Sequence, residues 1–363
     1  MKFLFTLAGL AGLIQLVDNG AHCILVAPDA PSQTLAEAAP FPIGFAVSPA
    51  SIKSNAPYRQ TVIQEATSIT ADVAMKPSRI SPQKGIYNVD VADQLIEFAR
   101  SQKKRVHGHT LVWYIDTSPN WLKQIRDSTD LESTLQTYIQ TVGTHFKGKV
   151  ASWDVVNEAV DNNRGAIRKD SLNTVGKTLF NVGKILGDDY VARMFQYAHK
   201  ADPNARLFYN DYGQETRPAK LSAIVNMAND FKRRGIPIHG LGLQMHISID
   251  TPNEGIENAI RKSAETGLLI HISELDIAMN PGKKKDFAET PELLEKQYQK
   301  YKFVVSTYKK IVPASQQFGI TLWGVDDGTS WIPGFCQCLD AALPFDANFG
   351  KKRAYQGFLD GLK

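Results

Sequence analysis

Eight runs rich in β-branched and aromatic residues alternate along the chain with stretches in which apolar residues recur at helical spacing. Helices that connect successive strands cover the faces of a parallel sheet, so this alternation favours an α/β fold over segregated helices and strands. The predicted strands are residues 41–47, 68–75, 105–113, 150–158, 206–211, 240–246, 268–276 and 320–325. Eight such units predict a (β/α)8 TIM barrel in a single domain.

The helical stretches are recognised by an apolar face or by their end signals. The helices with an apolar face are marked by Val91, Leu95 and Phe98, and by Leu131, Leu135, Tyr138, Val142 and Phe146. Further helices are predicted at residues 190–201, 220–234, 256–264 and 291–311. With one helix between most pairs of strands, the barrel prediction is consistent along the chain.

Length and charge fit one such domain. The chain has 363 residues, of which 43% are hydrophobic, enough for the core of a barrel with inserted loops. Its 41 basic and 37 acidic residues give a formal net charge of +4 and are spread along the sequence. The basic runs at 283–285 and 351–353 are interpreted as solvated loops, so no nucleic-acid partner is expected.

The first 40 residues are expected to lie outside the domain. Lys2 precedes the apolar stretch 3–17, whose length and flanks are typical of a secretory signal peptide rather than a membrane span. The predicted division is a signal peptide at 1–23, a proline-containing leader or linker at 24–40 and the folded domain at 41–363. The protein is therefore expected to be secreted, monomeric and free of membrane association after processing.

Three cysteines are too few for a disulfide framework. Cys336 and Cys338 are separated by one residue, a spacing that would strain a bridge between them, and no histidine or further cysteine at ligand spacing supports a metal site. They are predicted to be free thiols in a loop. Neither a metal nor an organic cofactor is expected.

The stretch at 151–159 combines a short apolar strand with a polar end. Asn157 and Glu158 lie at its carboxyl end, where a parallel barrel builds its binding and reactive groups. A carboxylate at that position needs solvent or a partner, which suggests a functional role. A helix cap or an ordinary surface glutamate would explain Glu158 equally well.

A second strand carries a similar carboxylate. The apolar run at 268–277 holds Glu274 towards its end, far from Glu158 in sequence. If both strands belong to one barrel, the two glutamates face the same cleft. Glycosidases work with such a pair, one carboxyl protonating the leaving oxygen while the other attacks the sugar.

The motifs WDVVNEA, NDYG, LQMH, ISELDI and LWG followed by SW resemble those of the retaining endo-β-1,4-xylanases of glycoside hydrolase family 10, in the same order and spacing. The resemblance runs from about residue 41 to the carboxyl end. It implies an enzyme that acts on xylan and xylo-oligosaccharides. Within it, Glu158 corresponds to the acid/base catalyst and Glu274 to the nucleophile.

The resemblance also assigns supporting residues. His246 corresponds to the histidine that holds the nucleophile, Asp276 to the carboxylate that orients this histidine, and Asn157 to the amide that binds the sugar 2-hydroxyl. The other implied substrate-binding residues are Lys76, His109, Trp113, Asn210, Gln244, Trp323 and Trp331. Taken alone, His109 would fit a structural hydrogen-bond donor and Trp113 would fit core packing equally well.

Two segments depart from the family pattern. After the second strand the family usually shows Glu-Asn-x-x-Lys, whereas this chain has Asp72, Val73 and Lys76. After Trp113 the usual His-x-Gln is replaced by residues 114–116, which begin with Tyr114 and end with Asp116. A hydrogen-bond partner missing from a sugar site costs about 1–3 kcal/mol, so weaker binding or altered selectivity is expected on the glycone side.

Two other functions remain compatible with the sequence. A β-1,4-glucanase or cellulase on a related barrel also places an Asn-Glu pair at a strand end and a catalytic glutamate later. A catalytically weakened carbohydrate-binding barrel would explain the altered glycone side. The complete set of motifs argues against the first, and the retained Glu158, Glu274 and His246 argue against the second.

Overall fold

The computed structural model describes residues 33–115, 118–169 and 182–363. Within these residues the strands form one sheet in which all neighbouring strands run parallel, in the order β6-β5-β4-β3-β2-β1-β9-β8-β7 with β6 also paired to β8. The strands are β1 Ile43–Val47, β2 Ser68–Ala71, β3 Arg105–Trp113, β4 Ser152–Asn157, β5 Arg206–Asp211, β6 Gly240–Leu243, β7 His246–Ser248, β8 Leu269–Ala278 and β9 Gln317–Leu322.

The pairing of β6 with β8 closes the sheet into a ring. Gly240 pairs with Leu269 at the beginning of β8, and further along the same strand Asp276 pairs with His246 of β7. The strand predicted at 240–246 is therefore interrupted, because Met245 adopts a left-handed backbone with φ 58° between the two halves. The (β/α)8 barrel predicted from the alternation is confirmed, with β6 and β7 sharing one position.

The helices lie mostly between successive strands of the ring. In chain order they are α1 Leu35–Ala38, α2 Pro49–Ser54, α3 Ala56–Glu65, α4 Pro77–Ile80, α5 Asp90–Ser101, α6 Asn120–Lys123, α7 Ser128–His145, α8 Val182–Leu186, α9 Tyr190–Ala201, α10 Pro218–Arg233, α11 Asn253–Ala264, α12 Pro291–Ile311, α13 Ile332–Cys336 and α14 Arg353–Leu362. Two short 3-10 turns cover Ala314–Gln316 and Asp327–Thr329.

The predicted helix bounds agree closely with α9 and α12 and lie within three residues of the ends of α10 and α11. One detail of α5 was wrong. Val91, predicted on the apolar face, is 54% exposed, whereas Ala92, Leu95 and Ile96 are buried. The buried stripe follows a helical period from Ala92, and Val91 lies one residue outside it.

Aromatic and imidazole rings fill the interior of the barrel near the amino-terminal ends of the strands. His107 of β3 contacts Phe208 of β5 at 5.8 Å and His271 of β8 at 5.0 Å between ring centroids. Phe318 of β9 packs on Phe208 at 4.5 Å. Rings from strands that are not neighbours can meet only inside the ring, so this layer supports the polar groups at the carboxyl ends of the same strands.

The compact domain begins before residue 41, the predicted boundary. Thr34 caps α1 through a reciprocal pair of hydrogen bonds with Glu37, and the fully buried Leu35 donates its backbone N–H to Glu65 at 2.8 Å. The compact unit starts at Thr34, so the end of the predicted linker at 24–40 is part of the fold. The predicted signal peptide at 1–23 lies outside the described residues. Among the described helices, none is long and apolar enough to cross a membrane.

The prediction of free thiols near the carboxyl end was wrong. Cys336 and Cys338 form a disulfide. Gln337 between them has a left-handed backbone with φ 53°, and this turn brings the two Cα atoms to 5.2 Å. A separation of that size lies in the normal range for a bridge, which the spacing in sequence does not reveal.

Candidate active site

Two glutamates mark the carboxyl ends of the strands. Glu158 directly follows β4, and Glu274 lies in the second half of β8. Their exposed fractions are 7% and 4%, so both carboxyls are almost completely removed from bulk solvent. Buried carboxyls need hydrogen bonds or charges nearby, and each of the two finds a different set.

Glu274 accepts a hydrogen bond on each carboxylate oxygen. The Asn210 amide of β5 donates to Oε1 at 2.6 Å, and the His246 ring donates from Nε2 to Oε2 at 3.0 Å. Ser273 fixes the orientation of Asn210 by donating to its Oδ1 at 2.6 Å. Gly242 on β6 leaves space for this amide, since a Cβ there would lie 2.2 Å from Asn210 Oδ1.

His246 is held between two carboxylates. Its Nδ1 lies 2.8 Å from Asp276 Oδ2, and the indole Nε1 of Trp331 donates to the same oxygen at 2.8 Å. Although burial opposes a charge on the ring, Asp276 and Glu274 raise the pKa of His246 to about 10. The ring is therefore an imidazolium at neutral pH, with both nitrogens donating.

A second histidine reaches Glu274 from the other side. His109 of β3 places Nδ1 2.9 Å from Asp154 Oδ2 and 4.0 Å from Glu274 Oε1. Asp154 also lies 3.0 Å from His107 Nε2, and the two histidines hold the pKa of Asp154 below its usual value against the effect of burial. Asp154 and His109 thus form a buried pair close to the Glu274 carboxylate.

Glu158 is surrounded by amides rather than by imidazoles. Its Oε1 accepts hydrogen bonds from Gln244 Nε2 at 3.1 Å and from Asn157 Nδ2 at 3.2 Å. Asn157 in turn accepts from Asn210 Nδ2 at 2.9 Å. A continuous chain of side-chain amides therefore links the surroundings of Glu158 to those of Glu274.

The backbone of Glu158 is in the left-handed region, with φ 58°. This conformation costs a non-glycine residue of order 1–3 kcal/mol and persists only where neighbours enforce it. The Glu158 N–H donates to Asn210 O at 2.9 Å, and the Arg168 guanidinium donates to the carbonyls of Glu158 at 3.4 Å and Val160 at 3.1 Å. Arg168 therefore clamps the turn that aims Glu158.

The pKa values of the two glutamates are displaced in opposite directions. Burial, the charge of Asp211 and, less strongly, the charge of Glu274 raise the pKa of Glu158, although the Gln244 hydrogen bond opposes them. Burial would also raise the pKa of Glu274, but the hydrogen bond from His246 and the charges of His109 and His246 outweigh it and lower that pKa. One carboxyl is thereby biased towards its acid form and the other towards its anion.

A buried ion pair lies behind Glu158. Asp211 and Lys220 are both fully buried, with Oδ1 and Nζ 2.6 Å apart. Tyr209 donates its hydroxyl to Asp211 Oδ2 at 2.5 Å, and Lys220 donates to Asn162 Oδ1 at 2.9 Å and lies 3.8 Å from the centre of the Tyr212 ring. Lys220 and the Tyr209 hydroxyl thus stabilise the negative charge of Asp211, which in turn raises the pKa of Glu158.

Aromatic rings and one lysine line the side of the site next to β2, β3 and β9. Lys76 Nζ lies 5.3 Å from the Trp113 ring centre and 5.7 Å from that of Trp323. His109 packs edge-on against Trp323 at 5.2 Å. Trp331, 38% exposed, stands on His246 at 4.9 Å. An exposed flat ring such as that of Trp331, beside buried polar groups, suits the binding of a pyranose sugar.

The two segments that differ from the family pattern, one after β2 and one after Trp113, lie beside these rings. Asp72 Oδ1 is 4.0 Å from Lys76 Nζ, and Val73 is 38% exposed. The Tyr114 ring is covered by the Arg168 guanidinium at 4.2 Å, so the residue that replaces the family histidine supports the clamp on the Glu158 turn. Asp116 lies outside the described residues.

The structure brings all the described site residues predicted from the sequence into one region, and it adds others that were not predicted. The added residues are His107, Asp154, Arg168, Asp211, Lys220 and Ser273. Polar residues spaced two apart in apolar strands, as at His107 and His109, would have indicated an inward-facing polar layer. Arg168 left no comparable signal, since it lies in a loop.

Comparisons with known proteins identify a family and several similar enzymes. The model of glycosyl hydrolase family 10 matches residues 32–361. An endo-1,4-β-xylanase of Geobacillus stearothermophilus is 35% identical over 309 residues, which cover 81% of this chain and 87% of that protein. Endo-β-1,4-xylanase Xyn10C of Cellvibrio japonicus is 36% identical over 89% of this chain, and exoglucanase XynX of Acetivibrio thermocellus is 33% identical over 96%.

The chain spans only part of some relatives, 56% of the length of Xyn10C and 31% of that of XynX. A structure of xylanase 10C from Cellvibrio japonicus in complex with xylopentaose superposes with a TM-score of 0.84 at 34% identity, covering 92% of this chain and 69% of that chain. A structure of the intracellular xylanase TsXylA from Thermoanaerobacterium saccharolyticum in complex with xylotriose gives a TM-score of 0.80 at 31% identity and covers 92% of this chain and 99% of that one.

Proposed function

The chain belongs to glycosyl hydrolase family 10, and from this membership and the geometry of its site we propose that it is an endo-1,4-β-xylanase that cleaves internal bonds of xylan with retention of configuration. One observation carries the proposal. Two buried glutamates at strand ends, Glu158 and Glu274, have pKa values displaced in opposite directions. Such a pair divides the reaction between an acid and a nucleophile.

In the first step Glu274 attacks the anomeric carbon. A bond forms between that carbon and a Glu274 oxygen while the glycosidic C–O bond breaks and Glu158 gives its proton to the departing oxygen. Hydrogen bonds from Asn210 and His246 to the two oxygens of Glu274 keep the nucleophile ionised and oriented before attack.

In the second step water attacks the same carbon. Glu158, now a carboxylate, takes a proton from the water, the bond from carbon to Glu274 breaks, and both carboxyls return to their initial states. Two inversions at one carbon give net retention. Asn157 donates one amide proton to Glu158, and we infer that its second amide proton binds a sugar hydroxyl in both steps.

The substrate assignment rests on the aromatic side of the site and on the relatives. Trp113, Trp323 and Trp331 present rings near the two carboxyls, together with Lys76. Xylopentaose and xylotriose are the ligands of two structures to which this chain is similar. Xylan and xylo-oligosaccharides are therefore the proposed substrates.

A side-by-side assay tests the proposed substrate. Purified protein is incubated with xylan, carboxymethyl-cellulose and mixed-linkage glucan at equal mass, and reducing ends are measured with time. We expect release from xylan at least about tenfold faster than from either glucan. Faster release from the glucans would favour the β-1,4-glucanase alternative, which the similarity to XynX motivates; binding to xylan without release would favour a carbohydrate-binding barrel.

The stereochemical course is a second, independent test. Proton NMR of the first products of xylo-oligosaccharide cleavage should show the β-anomer before mutarotation mixes the signals. The α-anomer appearing first would exclude the double displacement and with it the nucleophilic role of Glu274.

We also propose that the protein is secreted. The support is Lys2 followed by the apolar stretch 3–17, together with a proposed polymeric substrate that cannot enter a cell. Family membership does not fix the location, since a similar xylanase is described as intracellular. Expression of the full chain in a secreting host should place activity in the medium, with an amino terminus beyond residue 17; an intact Met1 on the active protein would contradict this.

A further inference from the structure

One exposed aromatic side chain stands next to the site without a role in the proposed reaction. Phe335 is 69% exposed, more than any other large apolar side chain in the described part of the chain. Trp331 in the same segment is 38% exposed. Exposed apolar side chains that cluster beside a cleft mark a binding surface more often than isolated ones do.

Phe335 continues the ring surface of Trp331. Trp331 is the N-cap residue of α13 and Phe335 lies four residues later, within the helix, where its N–H donates to Trp331 O at 3.1 Å. Residues at this spacing lie on the same face of a helix, and the two ring centroids are 4.9 Å apart with planes inclined by 48°. We call Trp331 and Phe335 together the aromatic rim.

The segment that carries the aromatic rim is anchored at both ends. Trp331 donates its indole N–H to Asp276, the carboxylate that also orients His246. Beyond Phe335, the Cys336–Cys338 disulfide closes the turn. Asp340 accepts the backbone N–H groups of Met279 at 2.8 Å and Asn280 at 3.1 Å, which ties the segment to the end of β8.

We propose that Phe335 is a sugar-stacking platform that binds one further pyranose of the xylan chain, next to the sugar that Trp331 covers. A ring held in place before binding adds affinity at little cost in conformational entropy. Lys283 Nζ lies 5.9 Å from the Phe335 ring centre, at the outer limit of a cation–π contact, and leaves the ring largely open to a ligand. This inference rests on the proposed xylanase function, because it names an additional subsite of that same cleft.

Substrate length separates this subsite from the catalytic centre. For Phe335→Ala we expect kcat/KM on xylohexaose and on polymeric xylan to fall about three- to tenfold, mainly through KM, since a stacked ring contributes about as much as an aromatic pair. An aryl β-xylobioside, too short to reach Phe335, should change by less than about twofold. Equal losses on long and short substrates, or no loss on any, would overturn the platform.

Two matched variants control for the surface position. Phe335→Tyr keeps a flat ring and should retain the kinetics of the unaltered protein on all lengths. Leu339→Ala removes a comparably exposed apolar side chain from the same segment and should leave all kinetics unchanged. A loss with Leu339→Ala equal to that with Phe335→Ala would indicate general loosening of the segment and contradict a stacking role.

Sedimentation velocity tests whether Phe335 instead contacts a second copy of the chain. A molecular mass that differs between the unaltered protein and Phe335→Ala would show such a contact and contradict sugar stacking. If the unaltered protein and Phe335→Ala cleave the aryl xylobioside and xylan with the same kinetics, the stacking role of Phe335 is contradicted and the proposed function stands. If the unaltered protein cleaves neither, the proposed function itself fails.

Discussion

Glu158 and Glu274 are buried to nearly the same extent, but their surroundings displace their pKa values in opposite directions. Glu274 faces the imidazolium of His246 and the ring of His109, whereas Glu158 faces neutral amides and the negative charge of Asp211. Burial alone raises the pKa of both carboxyls. Whether the pKa of each glutamate rises or falls is therefore decided by the neighbouring groups and not by burial.

The two glutamates also differ in how the backbone holds them. Glu274 belongs to β8 and donates its backbone N–H to Gln244 O at 3.0 Å, whereas Glu158 lies just beyond β4 in a left-handed conformation. Hydrogen bonds from Arg168 to the carbonyls of Glu158 and Val160 stabilise the second arrangement. Glu274 is thus fixed by the hydrogen bonds of its strand, while Glu158 on a turn depends on the Arg168 side chain, which comes from a loop.

Removal of the proposed nucleophile gives the largest expected effect. Glu274→Ala should lower kcat/KM by at least about four orders of magnitude on every substrate, because no first step can occur without the attacking carboxylate. Steady-state rates on xylan and on an activated aryl xylobioside measure this. If Glu274→Ala kept most of its activity on the aryl substrate and had none on xylan, Glu274 would be the acid catalyst and the proposed roles of the two glutamates would be exchanged.

Removal of the acid gives an effect that depends on the leaving group. Glu158→Ala should lower the rate on xylan by about 10²–10⁴-fold and affect the formation of the glycosyl-enzyme much less for aryl glycosides that need no protonation. Azide should restore turnover of the aryl substrates and give a glycosyl azide product, since it replaces the water that Glu158 would activate. If azide restored turnover in neither variant, the assignment of different roles to the two carboxyls would fail.

The pH profile tests the electrostatic part of the comparison. The proposed reaction requires an ionised Glu274 and a protonated Glu158. Activity should therefore fall as the pH drops through the lowered pKa of Glu274 and as it rises through the raised pKa of Glu158. His246→Asn removes the positive charge that helps to lower the pKa of Glu274, so that pKa should rise. We expect the acidic limb of kcat/KM to move up by about one pH unit, with the basic limb unchanged.

Gln244→Ala is the matched change on the other side of the site. It removes a hydrogen bond that lowers the pKa of Glu158, so the basic limb should move to higher pH while the acidic limb stays in place. If both variants moved the same limb, the two carboxyls would titrate as one coupled pair and the separate assignment of their pKa values would fail.

The sequence was sufficient to predict the features of the barrel strands but not those that depend on the loops. Strand alternation was sufficient for the barrel and for the positions of Glu158 and Glu274, because parallel strands bring their carboxyl ends together. It could not reveal Arg168, whose contacts depend on the path of a loop. The interruption at Met245 and the bridge between Cys336 and Cys338 each depend on one residue with a positive φ, for which neither methionine nor glutamine is a sequence signal.

The smallest expected effect concerns the segment after β2. In similar enzymes a Glu-Asn pair stands where this chain has Asp72 and Val73, and here Asp72 lies 4.0 Å from Lys76 while Val73 is partly exposed without a polar group to offer a sugar. Asp72→Glu combined with Val73→Asn should raise kcat/KM on xylotriose several-fold, by about the value of one or two hydrogen bonds, and leave polymeric xylan almost unchanged because long chains use other subsites. Both limbs of the pH profile should stay in place, since the change adds binding away from Glu158 and Glu274. Equal gains on trimer and polymer, or a displaced pH limb, would mean that this segment acts on the two carboxyls themselves and not on a separate sugar.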